Sequence, residues 1–484
     1  MKKIFILFLG LTIFFGCDSY LDEVPDNRQD VKSLEDVEEL LVSAYSDAIY
    51  NYVEWKSDNA TFIIQNTQYP WMTENFSYQP VVSEEDQDTP SYLWEKNYQS
   101  IAHANQALEE LSNIEEGDVD YKNSLMAEGL ITRAYNHFML ASVFCLDYQT
   151  NKSALGIPYI TAPETQLEVV YERGTLEETY NLIEKDLLEA LPLVSNDNYV
   201  GTGKYHFNKN AAYAFASRFY LFKGDYAKCI EYSNKMLGEG LVEVTYIRNM
   251  EEVFTGSGSV AIANNFIDVS HPANLLVVRK ESSTVTRYTR RGYQANTEIF
   301  TEIFQLNNPQ GSNDQRNLAY GSSSSSARAQ PKFTELFKYT TSTTGFPYYI
   351  MTELRGEEVV LNRIESYIRE NRLDEAIADY NVMASLRYDN GGQLDLATVT
   401  SYYGGTQQEA MLDLVISERR KEFLREGLRW FDIKRLGLEV YHVIEANTFG
   451  TVLKDVTLSA QDLRKAEQIP LKAIINGIKE NPGY

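Results

Sequence analysis

The side chains that most often carry catalysis are present, but their spacing builds none of the common catalytic motifs. No HExxH, CxxC or paired-histidine spacing occurs, which argues against a zinc site. No GxSxG elbow is present, and Gly201–Lys204 lacks P-loop spacing. A carboxylate pair for glycoside hydrolysis stays open among 69 acidic residues, although nothing singles one out. We therefore predict no catalytic residue, no metal and no cofactor. The five histidines are His103, His137, His206, His271 and His442.

Two segments combine aromatic and planar polar side chains in a way that suits sugar binding. Aromatic rings stack on sugar faces, while amide, carboxylate and guanidinium groups form hydrogen bonds with hydroxyls. The segments are residues 55–78 and 287–296. The sequence leaves open whether Trp71 is an exposed platform or part of a packed loop core. The candidate ligand-binding residues are Trp55, Asp58, Tyr69, Trp71, Asn75, Tyr78, Tyr288, Arg290 and Tyr293, with Asn59, Arg291 and Asn296 nearby.

The densest charged motif spans Ile416–Arg435. Its apolar residues at helical spacing include Trp430, and a stripe of both charge signs runs beside them. Opposite charges three and four residues apart support a helix. We predict one helix through this motif, with a structural role for its charges and with Gly427 as a point of close approach. A carboxylate site for a ligand is the alternative. The stripe is Glu418, Glu422, Arg425, Arg429 and Asp432.

Hydrophobic periodicity predicts a mainly α-helical body. A first helix is expected near Leu34–Tyr50, and an irregular segment near Asn51–Thr89. Two long helices follow near Ser91–Ile114 and Tyr121–Leu146. Another is expected near Thr175–Leu193, where Thr175 and Glu178 have capping-box spacing. Trp94 and Trp430 lie on helical stripes and are predicted to be core residues.

Two segments read as tetratricopeptide-like helix pairs, because each has two helical patterns joined by a short turn with small residues at the contact. They are Asn208–Leu237 and Glu357–Leu386. Residues 241–349 between them are rich in glycine, serine and β-branched residues. We predict a loop-rich lobe there, with a few short strands.

The N-terminal residues have the layout of a secretory signal that ends at a cysteine. Two lysines precede a 12-residue apolar run, Ile4–Phe15, which is shorter than the roughly 20 residues of a membrane-spanning helix. An ordinary signal peptide with an incidental cysteine is the alternative to lipidation. We expect residues 1–16 to be a signal peptide, residues 17–32 a flexible tether lipidated at Cys17, and residues 33–484 the body.

Composition favours a body exposed to solvent. The formal net charge is −25, which argues against nucleic acid and anionic lipid surfaces as partners. The remaining cysteines, Cys145 and Cys229, lie in helical patterns, where buried free thiols are expected. A disulfide between them is the alternative in an oxidising compartment.

The charged motif, with Glu418-Arg419-Arg420, Glu426-Gly427 and Asp432, resembles the C-terminal signature of the SusD/RagB family of outer-membrane nutrient-binding lipoproteins. The ending Asn481-Pro482-Gly483-Tyr484 is similar to that family as well. So are Trp94-Glu95, Arg133-Ala134-Tyr135 and Gly156-Ile157-Pro158.

The resemblance implies tetratricopeptide-like helix pairs that support an irregular lobe. It also implies a non-enzymatic protein on the cell exterior, anchored to outer-membrane lipid through Cys17. Such proteins hold oligosaccharide for a partner TonB-dependent (SusC-like) transporter. Peptide cargo is the alternative within the family, a glycoside hydrolase is a less favoured class, and a scaffold for protein partners is a third.

Overall fold

The computed structural model describes residues 31–484 except 167–168, 200, 202, 255–257, 285–291, 305–307 and 322–325. Helices dominate these residues, and the strands are short. The helices are α1 Leu34–Val42, α2 Pro70–Phe76, α3 Pro90–Asn113, α4 Val119–Phe144, α5 Leu176–Ala190, α6 Lys209–Lys223, α7 Tyr226–Leu237, α8 Met250–Val253, α9 Ser259–Phe266, α10 Thr297–Phe304, α11 Gly356–Arg369, α12 Leu373–Ser385, α13 Leu396–Tyr403, α14 Gln407–Glu422, α15 Leu428–Leu436 and α16 Leu471–Ile475. The strands are β1 Asn274–Glu281, β2 Tyr320–Gly321, β3 Arg328–Ala329, β4 Glu335–Tyr339, β5 Gly345–Arg355, β6 Val440–Ala446 and β7 Val452–Leu458.

Consecutive helices pack in pairs, as the sequence predicts. Helix α3 packs on α4, α6 on α7, and α11 on α12. The turn between α6 and α7 uses Gly224 at a φ of 80°, a left-handed conformation that glycine adopts without steric cost. The predicted capping box at the start of α5 is confirmed, since Thr175 and Glu178 each bond the other's backbone amide. The mainly α-helical fold is thus as expected.

Three small antiparallel sheets accompany the helices in the described residues. Strand β5 lies between β1 and β4, β2 pairs with β3, and β6 pairs with β7. The inner end of β5 is buried at Met351 and Leu354, whereas every residue of β4 is exposed. The first sheet is therefore anchored in the core at one end and projects into solvent at the other.

Two predicted elements near the N-terminal end of the body differ from the structure. The first helix ends at Val42 rather than near Tyr50, because the following residues pair with β1: Asp47 accepts a hydrogen bond from the Glu281 amide (2.8 Å). The segment expected to be irregular contains a 3₁₀ turn, Asn51–Lys56, and helix α2. Local periodicity could not reveal either effect, since tertiary pairing overrides helix propensity.

The charged motif is not one continuous helix. Helix α14 ends at Glu422, and Arg425 and Gly427 take φ values of 76° and 81° before α15 begins at Leu428. Gly427 is nevertheless a point of close approach. A Cβ atom there would lie 3.2 Å from the Asn51 Cα and from the Tyr50 carbonyl oxygen. The prediction of close approach is confirmed, but its placement within a helix was wrong.

The largest cluster of buried apolar residues draws on both ends of the body, from Ala48 to Ile478. Trp430 is buried (1% exposed), as predicted. Trp94 is partly buried, with its ring edge-on to Phe144 at 4.9 Å. Cys145 and Cys229 are buried free cysteines. None of the helices in the described part of the chain has the length and hydropathy that a membrane crossing requires.

Candidate functional site

The two segments that the sequence singled out for sugar binding lie side by side in the structure. The Thr61 amide donates to the Gln294 carbonyl (2.9 Å), and the Gln294 amide donates back to the Thr61 carbonyl (3.1 Å). The Gly292 amide donates to the Thr67 carbonyl (2.8 Å). These bonds join the irregular N-terminal segment to the described end of the second segment. Tyr288, Arg290 and Arg291 lie outside the described residues.

A continuous stack of five rings supports the point where the segments meet. Tyr293 stacks on Phe76 with ring centroids 3.7 Å apart, and Phe76 stacks on His442 at 4.0 Å. His442 stacks on Tyr78 at 5.1 Å, and Tyr78 on Trp430 at 5.9 Å. We call these five residues the ring column. It connects the surface segments to β6 and to the C-terminal helix α15.

His442 is held in the middle of the column by its neighbours. Its Nδ1 lies 3.0 Å from the Phe76 carbonyl oxygen, and its Nε2 lies 2.9 Å from the Ser57 carbonyl oxygen. Burial lowers the pKa of His442 to about 4, against the opposing effect of these two carbonyls. The ring is therefore neutral at pH 7, and one ring nitrogen donates to one of the carbonyl oxygens.

Trp55 and Trp71 form a second aromatic pair beside the column. Their ring centroids are 5.5 Å apart at 36°. Gly292 packs closely on Trp55 and Met72: a Cβ atom there would lie 3.2 Å from the Met72 sulfur and from Trp55. The exposed platform that was one reading of Trp71 is not what the structure shows, because 9% of its side chain is exposed and α2 turns it against Trp55. Its part in ligand binding stays a prediction.

The other predicted residues also differ in exposure. Tyr69, at the start of α2, is 39% exposed. Asn75 and Tyr78 are fully buried, and each donates to a backbone carbonyl, at 3.2 Å to Tyr52 and at 2.7 Å to Lys56, respectively. Tyr293 is 2% exposed, and its hydroxyl lies 3.0 Å from that of Thr73. Most of the predicted site residues are thus buried, and they support the surface residues from below.

Asp58 lies beside these buried residues, and two arginines bind it. Arg429 holds its carboxylate through two bonds, of 2.9 and 2.8 Å, and Arg420 donates to its backbone carbonyl at 3.0 Å. Burial works to raise the pKa of Asp58, but the bonds and charge of Arg429 and the charge of Arg420 outweigh it, so the pKa is lowered. Asp58 is an anion that is already paired within the protein.

A narrow cleft lies beside Trp55. Its cavity volume is about 40 Å³. Glu54 and Asn59 line one side, and Asp88, Gln294 and Arg328 line the remainder. Glu54, Asp88, Gln294 and Arg328 were not predicted as site residues, since isolated polar residues give no periodic signal in the sequence. Carboxylate, amide and guanidinium groups beside aromatic rings suit a ligand rich in hydroxyl groups.

Contacts behind the cleft fix its two carboxylates. Glu54 accepts hydrogen bonds from Asn59 (2.9 Å) and from the backbone amides of Arg425 (2.9 Å) and Gly427 (3.0 Å). Asp88 accepts from the Ser283 amide at 2.9 Å. Burial raises the pKa of Glu54 and of Asp88. The turn that interrupts the charged motif therefore builds the back of the cleft.

Glu418, Glu422 and Glu426 of the motif belong to a buried network of ion pairs. Glu422 binds Arg355 at 2.7 Å, Arg387 at 2.8 Å and Arg316 at 3.1 Å. Arg316 also binds Glu418 at 2.6 Å. The structural interpretation of the motif is confirmed. The members of this charge network are Arg316, Lys332, Arg355, Arg387, Glu418, Glu422 and Glu426, all at most 6% exposed.

Comparison with protein-family models gives two matches that follow one another along the chain. Residues 19–221 match a model described as starch-binding and associating with the outer membrane. Residues 278–473 match the model of the SusD family. The chain belongs to the SusD/RagB family. The resemblance that rested on the charged motif is thereby confirmed.

Solved structures share this SusD-family fold. A protein from Bacteroides vulgatus with a provisional sugar-binding name superposes with a TM-score of 0.71 at 20% identity, over 94% of this chain and 100% of its own. A SusD superfamily protein from Bacteroides thetaiotaomicron gives 0.69 at 20% identity, over 93% and 100%. A SusD-like carbohydrate binding protein from Bacteroides vulgatus gives 0.63 at 18%, over 89% of each chain. A search of curated proteins finds no match.

The site of this SusD-family protein draws on both matched ranges. Trp55, Trp71 and Asp88 lie in the first range, and Tyr293, Arg328 and His442 lie in the second. Neither range contains a complete set of cleft and column residues. The cleft therefore forms only when the two parts of the family fold come together.

Proposed function

We propose that this protein is an outer-membrane lipoprotein facing the cell exterior, which holds an oligosaccharide and passes it to a partner TonB-dependent transporter of the SusC type. It performs this task without catalysis. Membership of the SusD/RagB family, whose first matching model is described as starch-binding and outer-membrane associated, supports the class. The carbohydrate-binding names of related structures support the ligand class.

The observation that carries the proposal is the cleft between the two aromatic segments. Asn59, Asp88, Gln294 and Arg328, which carry amide, carboxylate and guanidinium groups, line it together with Trp55. Sugar recognition needs this combination of flat apolar surface and oriented hydrogen-bonding groups. Because the ring column and the Glu54 contacts hold the walls in place, little ordering cost is expected on binding.

The anchor of this arrangement is Cys17, which lies outside the described residues. A diacyl or triacyl group on Cys17 would give firm attachment, since each buried methylene contributes about 0.8 kcal/mol. Residues 17–32 would then let the body move over a pore while it remains tethered.

The proposal is tested by comparing the wild-type chain with the Cys17→Ser variant, both tagged and expressed in a bacterium with an outer membrane that carries the partner system. We expect the wild type to fractionate with outer membranes and to copurify in detergent with a large TonB-dependent barrel. The variant should leave the membrane fraction. Both proteins should be retarded in native gels that contain one of four neutral polysaccharides: soluble starch, xylan, galactomannan or mixed-linkage β-glucan.

Three results would contradict parts of this proposal. Retardation by none of the polysaccharides, combined with binding to a peptide library, would assign peptide cargo instead. Cleavage products after prolonged incubation would indicate an enzyme. Membrane fractionation of Cys17→Ser equal to that of the wild type would remove the lipid anchor.

A further inference from the structure

The β4–β5 hairpin exposes aromatic side chains that the cleft does not use. Phe337 is 42% exposed and Tyr339 is 67% exposed. Among the phenylalanines of the described residues, only Phe337 and Phe449 are exposed. A phenylalanine gains no hydrogen bond from facing water, and exposed apolar groups that lie together often mark contact surfaces.

The two rings form one surface on a single face of the hairpin. Phe337 pairs with Pro347 and Tyr339 with Gly345 across the antiparallel ladder. The Phe337 and Tyr339 ring centroids are 4.8 Å apart. A Cβ atom on Gly345 would lie 2.7 Å from the edge of the Phe337 ring. Glycine at this position therefore gives the ring room to lie across the neighbouring strand.

The opposite face of the hairpin is already occupied. Arg279 lies over Tyr348 at 4.9 Å and over Phe346 at 5.9 Å, and it is bound to Glu281 at 2.7 Å. Tyr92 donates a further hydrogen bond to Glu281 at 2.7 Å. Among the described residues, the face with Phe337 and Tyr339 is the one that carries no such arginine over its rings.

The hairpin is anchored in the core, and the strand next to it leads toward one edge of the cleft. Its strand β5 continues into the charge network through Arg355. Tyr348 pairs with Glu281 at the end of β1. Thr284, three residues after Glu281, lines the cleft. Gly345 is three residues beyond Tyr348, about 10 Å along the strand. One extended ligand could therefore contact both surfaces.

We propose that Phe337 and Tyr339 form a second carbohydrate platform that holds a neutral oligosaccharide chain beyond the cleft. This inference rests on the proposed function. The edge-on pair of rings presents apolar surface that suits the apolar faces of sugars, and the Tyr339 hydroxyl suits their hydroxyl groups. The formal net charge of −25 disfavours polyanionic glycans.

Calorimetry with a disaccharide and a heptasaccharide tests this platform, using the full-length chain in detergent. Both are prepared from whichever of the four named polysaccharides retards the wild type. The double variant Phe337→Ala with Tyr339→Ala should lose about tenfold in heptasaccharide affinity, a typical effect of two lost stacking contacts. Its disaccharide affinity should be unchanged, because the short ligand occupies the cleft alone. Tyr339→Phe, which keeps the ring, should bind within about twofold of the wild type.

The matched control is Tyr402→Ala. Tyr402 is 40% exposed and pairs edge-on with Tyr403 at 4.7 Å on the helical body. It should bind the heptasaccharide like the wild type. If the double variant does so too, or if it instead loses peptide binding, the platform is refuted while the proposed function stands. If no polysaccharide retards the wild type, the proposed function fails and this inference fails with it.

Discussion

The charge network and the ring column both join the middle of the chain to its C-terminal helices, but with different chemistry. The network connects Arg316 and Arg355 to Glu418 and Glu422 on α14. The column connects Tyr293 to Trp430 through stacked rings. Ion pairs in a buried site require both partners and fixed geometry. Stacked rings need no charged partner, and the five rings of the column are all buried.

This difference separates the residues that hold the fold together from the residues that can meet a ligand. All members of the network are buried and paired with one another, so no charge remains to meet a ligand. The column instead ends at Tyr293, which lines the cleft together with Trp55. The most conspicuous motif in the sequence is thus structural, while the binding surface is assembled from less regular segments.

The largest effect is expected from Glu422→Gln. This change leaves Arg316, Arg355 and Arg387 facing a neutral group in a buried site, which should lower the free energy of unfolding by about 3–5 kcal/mol. Urea denaturation measures the loss. The control is Glu302→Gln, because Glu302 pairs with Arg420 at 2.7 Å with 60% of its side chain exposed. That change should cost less than about 1 kcal/mol. Equal losses of unfolding free energy in the two variants would mean that the network stabilises the fold no more than a surface ion pair does.

An intermediate effect is expected from Trp71→Ala. Because the ring is buried against Trp55, its loss should lower the free energy of unfolding by about 3 kcal/mol. Polysaccharide retardation should weaken as well, since Trp71 supports the cleft wall. Trp94→Ala removes a partly buried ring from the helical body and should leave retardation unchanged. Unchanged retardation in Trp71→Ala would confine this tryptophan to the core.

The most gradual effect, about 1.4 kcal/mol of unfolding free energy per pH unit for one group, is expected from acid. Below pH 6.5 the unfolded chain protonates His442, while the folded chain keeps it neutral down to a pKa of about 4, so stability falls in this window. His137, with a pKa of about 3, adds to the fall. The charge network loses its contribution to stability only at lower pH. Arg316 and Lys421 outweigh burial and lower the pKa of Glu418 from 4.5 to about 2, so its contribution is lost between these values.

The His442→Gln variant isolates the contribution of the column. Urea denaturation at several pH values between 6.5 and 4.5 should give a slope that is shallower by about 1.4 kcal/mol per pH unit than that of the wild type. His103→Gln is the control, since this half-buried histidine lies outside the column and should change the slope less. An unchanged slope in His442→Gln would show that the ring does not require the neutral state.

The sequence predicted the helix pairs because their signal is local. Periodicity and the small residues around Gly224 suffice to place α6 and α7, and the capping box at Thr175 marks the start of α5. It also predicted that residues near Trp55–Tyr78 and Tyr293 belong to one site. The break after Glu422 was missed because the apolar spacing of Phe423 and Trp430 continues a helical pattern across it.

Composition, periodicity and one dense motif were thus enough to determine the mainly helical class, the structural role of the charges and the family resemblance. Tertiary structure alone decided which aromatic rings face solvent. Tyr78 and Trp71 lie in a segment with no regular pattern. Tyr78 is buried against His442, which is far away in sequence, and Trp71 packs against Trp55 within the segment. Phe337 and Tyr339 carry the same aromatic signal, yet they remain exposed because β4 is the outer strand of its sheet. Ring exposure depends on what packs against a residue, and local spacing does not contain that information.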